Sequence, residues 1–170
     1  MSDNSELKAF LVRTPFFGGL NDAALERVVA MLRAATHGPG AAVFREGESG
    51  RSMYVVESGE LLARQHGGLG HDIKLMRFGP SDFFGETTLI EMQPRPFTVL
   101  VEKEARLHEL TNMDLYQLYQ KDVKTYVLVL QNINRELCRR LRRASDRVTQ
   151  FADEGGSEVT QLGMKPIVPK

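Results

Sequence analysis

The sequence predicts an α+β chain, mainly β, in which an antiparallel barrel or jelly roll is preceded by short helices and followed by one long helix. Three observations carry this. Between residues 42 and 110, short runs of β-branched and aromatic residues alternate with glycine-bearing turns, the pattern of antiparallel strands. Ahead of them apolar residues recur at helical spacing. Behind them an apolar stripe at alternating spacings of four and three runs for almost thirty residues.

Composition fits one globular domain. The 170 residues are 42% hydrophobic and 26% charged, close to globular averages and enough to bury a core. Twenty-two basic residues balance 22 acidic ones, so net charge gives no case for nucleic acid as a partner. Cys138 stands alone, which excludes an internal disulfide and suits a reducing compartment. The first twenty residues have no signal-like apolar segment, and no run is long enough to span a bilayer. A cytoplasmic protein without membrane contact is expected.

Residues 1–6 are polar and expected to be mobile. Leu7–Val12 form a helical lead-in that stops before Thr14-Pro15, because the residue before proline avoids the helical region. Phe16, Phe17 and Leu20 make an apolar knot. Asn21 or Asp22 caps a helix with Leu25, Val28, Val29 and Leu32 on one face. It runs to about Ala35, where His37-Gly38-Pro39-Gly40 ends it. Strands are predicted near 42–45, 53–57, 60–65, 72–78, 97–102 and 106–110. Turns fall at Gly47–Gly50, Ser58-Gly59, Gly67–Gly70, Gly79-Pro80 and Lys103-Glu104.

Thr111 and Asp114 have the spacing of a capping box and open a helix carrying Leu115, Leu118 and Tyr119. Asp122 caps the longest helix, 122–151. Placing Val127, Asn134, Leu141 and Val148 at a and Leu130, Leu137, Ala144 and Phe151 at d gives a coiled-coil seam. One asparagine at a core a position fixes register and strand number, and leucine at d favours two parallel strands, so a homodimer along this helix is expected. The same periodicity would serve packing on the chain's own barrel. Arg135, Arg139, Arg140, Arg142, Arg143 and Arg147 lie mostly off the seam and read as a solvated face, with Glu136 four positions before Arg140. Residues 152–170 lack periodicity and are expected to form a flexible tail.

One stretch interrupts the barrel: Phe83-Phe84-Gly85-Glu86-Thr87-Thr88-Leu89-Ile90, with Arg95 nine positions after the glutamate. Gly85 permits close approach to the main chain. A helical turn over Thr87–Ile90 would present unpartnered amides to an anion. Arg95 supplies a planar fork suited to phosphate oxygens. Glu86, acceptor-only when ionised, suits sugar hydroxyls better than the anion.

These residues carry a family likeness. Pro39–Gly50 followed by Met53–Leu61 looks like the first half of a cyclic nucleotide-binding domain, and Phe84-Gly85-Glu86 with Arg95 resembles that family's phosphate-binding cassette. The likeness covers roughly residues 7–150. It implies an eight-stranded jelly roll, the double-stranded β-helix, that binds cyclic AMP or cyclic GMP. It further implies that Arg95 pairs with the cyclic phosphate, Glu86 takes the ribose 2′-hydroxyl, and amides near Thr87 and Thr88 complete the shell. The long helix is the implied lid, and the dimer element of the bacterial transcription-activator branch.

Three positions depart from the cassette pattern. Pro96 has no N–H where an amide donor is usual. Phe97 replaces a small residue and can fill the pocket or stack on a base; Thr98 follows it. Thr88 stands for alanine or glycine, though its hydroxyl can bond phosphate. Losing one donor to a charged phosphate costs about 1.5–3 kcal/mol, or about ten- to a hundredfold in affinity.

The expected function is a non-enzymatic sensor that binds cyclic AMP or cyclic GMP through Phe84, Gly85, Glu86, Thr87, Thr88, Arg95, Phe97 and Thr98, and signals to a separate partner protein. About twenty non-periodic residues follow the helix, so a helix-turn-helix and direct sequence-specific DNA binding are not expected. The alternative is a degenerate fold acting as a dimeric interaction module, or one that binds another nucleotide such as cyclic di-GMP. His37, His66, His71 and His108 form no His-x-His or His-Glu-x-x-His cluster, so no metal or other cofactor is expected, and each reads as a surface or turn residue.

Overall fold

The computed structural model describes residues 2–68 and 70–155. Their contacts divide into two units, Met1–Ile133 and Asn134–Lys170. In the first unit the order is α1 (Ser2–Arg13), a 3₁₀ turn (Pro15–Phe17), α2 (Asp22–Val29), β1 (Arg33–His37), β2 (Ala42–Phe44), β3 (Ser52–His66), β4 (Asp72–Phe78), β5 (Phe83–Phe84), α3 (Glu86–Glu91), β6 (Thr98–Thr111), α4 (Asn112–Lys121) and the start of α5 (Val123–Gly155). All strand pairs are antiparallel. β1, β6, β3 and β4 neighbour one another in that order, while β2 pairs with β6 and β5 with β3.

Two long strands, β3 and β6, are each the union of two strands expected separately, so six elements do the work of eight. The Ser58-Gly59 signal is real but marks a bend, not a chain reversal. Register slips between Val56 and Leu61, as at a β-bulge. Gly59 sits at φ +96, and a Cβ there would lie 2.5 Å from the Ala105 Cα. The Lys103-Glu104 turn is likewise absent, because that dipeptide lies on β6 opposite Glu60.

Other boundaries moved as well. α2 stops at Val29, and Arg33–His37, expected at the helix end, instead pairs with Ala105–Glu109. A ladder along β6 outweighs the weak helical preference of Arg-Ala-Ala-Thr-His. α1 begins at Ser2, ahead of the expected Leu7. The tail from residue 156 onward lies outside the described residues.

β5 shows how the core divides. Successive strand residues point to opposite faces. Phe83 meets Phe16 of the 3₁₀ turn edge-on at 5.4 Å, and Phe84 stacks on Phe78 at 4.9 Å inside the barrel. Phe44, Val56, Leu61, Val99 and Leu107 fill that interior; each such side chain contributes about 1.5–3 kcal/mol on burial. Leu11, Leu25, Leu118 and Val129 are buried in the helical layer. His108, expected at the surface, is only 2% exposed and lies 2.6 Å from Glu57, which also accepts from Arg106.

The caps match their sequence signals. The Asn21 side chain accepts from the Ala24 amide at 2.9 Å. The Thr111–Asp114 box is complete, and Asp122 accepts from both the Thr125 amide and its hydroxyl. Asn132 and Ile133 are buried on α5, with the Asn132 amide donating to the Phe16 and Gly18 carbonyls. In the second unit the described helix carries Glu136 beside Arg139, Arg140 and Arg143. No described helix is long and apolar enough to cross a membrane.

Two outcomes test this account. Gly59→Ala should destabilise by about 3 kcal/mol in urea unfolding, from left-handed strain plus overlap, whereas Gly79→Ala, with nothing within 4 Å, should change stability by less than about 0.5 kcal/mol. For Asp114, burial pushes the carboxyl up, but the hydrogen bonds from Arg33 and Thr111 outweigh it and hold the pKa below the ordinary value. A depressed folded pKa gives stability that is complete above the unfolded value and is lost as pH falls through the folded one. Asp114→Asn should therefore flatten the decline of stability below pH ~4, read from urea midpoints across pH.

Candidate functional site

The site is built around the short loop and helix between β5 and β6. Gly85 caps α3 at φ 82, a conformation glycine adopts without penalty. α3 ends at Met92, left-handed at φ 54, at a cost of roughly 1–2 kcal/mol. Gln93 and Pro94 then return the chain to Arg95. Two main-chain bonds pin that residue: its amide donates to the Glu48 carbonyl at 2.8 Å, and its carbonyl accepts from the Gly47 amide at 2.9 Å.

The Arg95 side chain is 4% exposed. Its Nη1 donates to the Gly85 carbonyl and the Thr88 hydroxyl, both at 3.2 Å, and Nη2 donates to the Ser52 carbonyl at 2.8 Å. Its Nε is buried with no hydrogen-bond acceptor among the described residues. The guanidinium lies 4.0 Å over the Phe44 ring, a cation–π contact. Gly50 and Gly85 close around it: a Cβ on Gly50 would lie 2.5 Å from Cζ, and one on Gly85 2.7 Å from Nη1. Desolvation lowers the Arg95 pKa, opposed by Tyr54, Glu48, Glu109 and Glu86; the group stays charged.

The expected residues are not equivalent. Gly85, Glu86, Thr88 and Arg95 converge, with Glu86 2% and Thr88 3% exposed. Thr87 is half-buried on α3. Phe84 is fully buried, stacked on Tyr54 at 5.4 Å as well as on Phe78, so it packs in the core ahead of Gly85 and does not line the site. Phe97 packs at 6.2 Å from Phe44. The Thr98 hydroxyl accepts from the Glu46 amide, which ties β6 to the preceding turn. Sequence reasoning missed Ser52, Tyr54, Phe44 and Gly50. Gly50 carried a signal only as a turn residue, and Phe44 and Tyr54 only as members of the family-like stretches; the Ser52 contact spans 43 positions. The Ser52 hydroxyl donates to Tyr54, whose hydroxyl donates to Glu109 at 3.4 Å. Burial raises the Tyr54 pKa.

The seam residues are open in the single chain. Val127 is 43%, Leu141 69% and Val148 50% exposed. Asn134 is exposed, while Leu130 and Leu137 are half-buried. In the first unit α5 is held by another face, that of Thr125, Val129, Asn132 and Ile133.

The profile of the cyclic nucleotide-binding domain matches residues 36–122, just over half of the chain. A CRP-like cAMP-activated global transcriptional regulator of Mycobacterium tuberculosis is 28% identical over 154 residues, covering 89% of this chain and 67% of that protein. The crystal structure of Thermus thermophilus catabolite activator protein superposes with a TM-score of 0.72 at 25% identity, over 81% of this chain and 63% of that one. The c-di-GMP-responsive global regulator CLP of Xanthomonas campestris gives 0.68 at 25% identity, over 78% and 65%. The chain thus spans about two thirds of these relatives.

Gly50→Ala tests the packing around the guanidinium. Overfilling a closed site should cost about 1–3 kcal/mol, read as a lower urea midpoint with unchanged slope.

Proposed function

Because the chain belongs to the cyclic nucleotide-binding domain family, we propose that it is a non-enzymatic regulatory sensor, binding cyclic AMP or cyclic GMP in the α3 cassette and signalling to a separate partner protein. The observation that carries this reading is the buried Arg95, whose Nε lacks an acceptor and whose other donors meet only neutral oxygens. A cyclic phosphate would replace neutral acceptors with charged ones, and charge-assisted bonds are about twice as strong. Glu86 would accept from the ribose 2′-hydroxyl, the Thr87 and Thr88 amides would face the phosphate, and Phe97 would offer its ring to the base. Pro96 contributes no donor.

Exchange of partners at Arg95 would free the Ser52 and Gly85 carbonyls, so the start of β3 and the cap of α3 would respond to the ligand. A ligand shifts such an equilibrium only by its differential affinity for the two arrangements. The exposed seam residues Val127, Leu141, Val148 and Phe151 support a homodimer, expected in the cytoplasm, whose geometry a partner could read.

A second reading rests on a different observation. Phe44 lies against Arg95, and Tyr54, Phe84 and Phe97 surround Phe44. A guanidinium held by neutral oxygens and packed on this aromatic nest could serve structure alone, leaving a dimeric docking module. Cyclic di-GMP is a third ligand to try, on the likeness to the Xanthomonas regulator.

Isothermal titration with cyclic AMP, cyclic GMP and cyclic di-GMP decides among these. We expect saturable binding to one of the first two, weakened about a hundredfold by Arg95→Ala and tightened up to about tenfold by Pro96→Ala, which restores an amide donor. Flat traces for all three, with a dimer by light scattering, would shift the assignment to a docking module.

A further inference from the structure

Beside the cassette, along α3, two adjoining cavities share a wall. One, of about 350 Å³, is lined by Ser49, Gly50, Arg51, Thr88, Gln93 and Asn112. The other, of about 700 Å³, is lined by Ile90, Met113, Tyr116, Tyr119, Tyr126 and Leu130. Leu89, Met92 and Asn112 border both. Together they form a trough over α3, α4 and the start of α5. We propose that this trough binds a soluble anionic amphiphile, an extended apolar chain ending in a single carboxylate or phosphate. Thr88 and Gly50, which contact Arg95, wall its polar end, so the trough adjoins the proposed nucleotide site, but Arg51, not Arg95, lines it.

The polarity runs one way along the trough. At one end Arg51 is the sole charged lining residue, amid hydroxyl and amide side chains able to bond an anionic head. Among the described residues no carboxylate lines either cavity, so the charge complement is an anion. The rest is apolar: Met92 is 81%, Met113 59%, Tyr116 53% and Tyr119 48% exposed. Large apolar groups exposed side by side mark a binding surface, and methionine adapts to flexible chains. Tyr119 and Tyr126 meet edge-on at 5.3 Å, bracing the α4 and α5 walls. A volume in this range suits a ligand of moderate size. One charged end and a long uncharged body fit a single-headed amphiphile better than a bilayer surface, which is held by clusters of basic residues.

The test titrates the full chain with dodecanoate below its micelle concentration. One saturable site is expected, about tenfold weaker in Arg51→Ala and about tenfold weaker for dodecanol, which keeps the chain and loses the charge. Octanoate should bind more than tenfold more weakly, from methylenes left unburied. Met113→Asp should abolish binding; thermal melting of each variant verifies the fold, and Arg51→Ala, at an exposed site, stands as the second variant should Met113→Asp unfold. Absence of saturable binding, or equal affinity for dodecanoate in Arg51→Ala, overturns the proposal. Displacement by excess cyclic AMP would put the chain in the cassette and overturn it too. Retention on phosphatidylglycerol vesicles without dodecanoate binding would replace the soluble amphiphile with a membrane.

Discussion

One buried guanidinium organises the region where β3, α3 and β6 meet. A desolvated charge is tolerated only where its donors are satisfied, and the Arg95 fork takes its acceptors from the main chain at Ser52 and Gly85 and from the Thr88 side chain. Main-chain carbonyls cannot be supplied by choosing other side chains; the backbone must come to the arginine. This explains why glycine stands at 50 and 85, where any side chain would invade the guanidinium, and why α3 opens from a left-handed cap.

The aromatic nest beneath Arg95 follows from that placement. With one face of the cation on Phe44 and its edge among carbonyls, water is excluded from both sides. Phe84, Phe78 and Tyr54 continue the stack into the barrel, so cassette and core are one packed body. A displacement of α3 would then have to be absorbed at its far end, where Met92 already holds a strained turn beside the apolar trough.

What the sequence disclosed was mostly local. Asn21, Thr111 with Asp114, and Asp122 announced helix starts because a cap's signal and its bond lie within three residues. The convergence of Gly85, Glu86, Thr88 and Arg95 was legible for the same reason, since they lie within eleven positions. Non-local pairing was hidden. Arg33–His37 looked like the end of a helix because the competing ladder to β6 begins some seventy residues away. Ser58-Gly59 carried a true turn signal, but only the partner strand decides between bending and reversing. Ser52 gave no sign of its role. Periodicity marked an apolar stripe on α5, but it did not show that the adjoining face of Val129 and Ile133 is the one used within the first unit.

The Asn132 amide has an entropic consequence. It joins α5 to the carbonyls of Phe16 and Gly18, 116 and 114 positions earlier, closing nearly the whole first unit into a loop. By the logarithmic cost of loop closure, ordering so long a ring through one side chain takes about 4 kcal/mol of chain entropy. That cost falls greatly once the barrel between has formed and shortened the effective loop. The two bonds thus tie the N-terminal turn to the last helix of the unit at an entropic cost that the intervening barrel lowers.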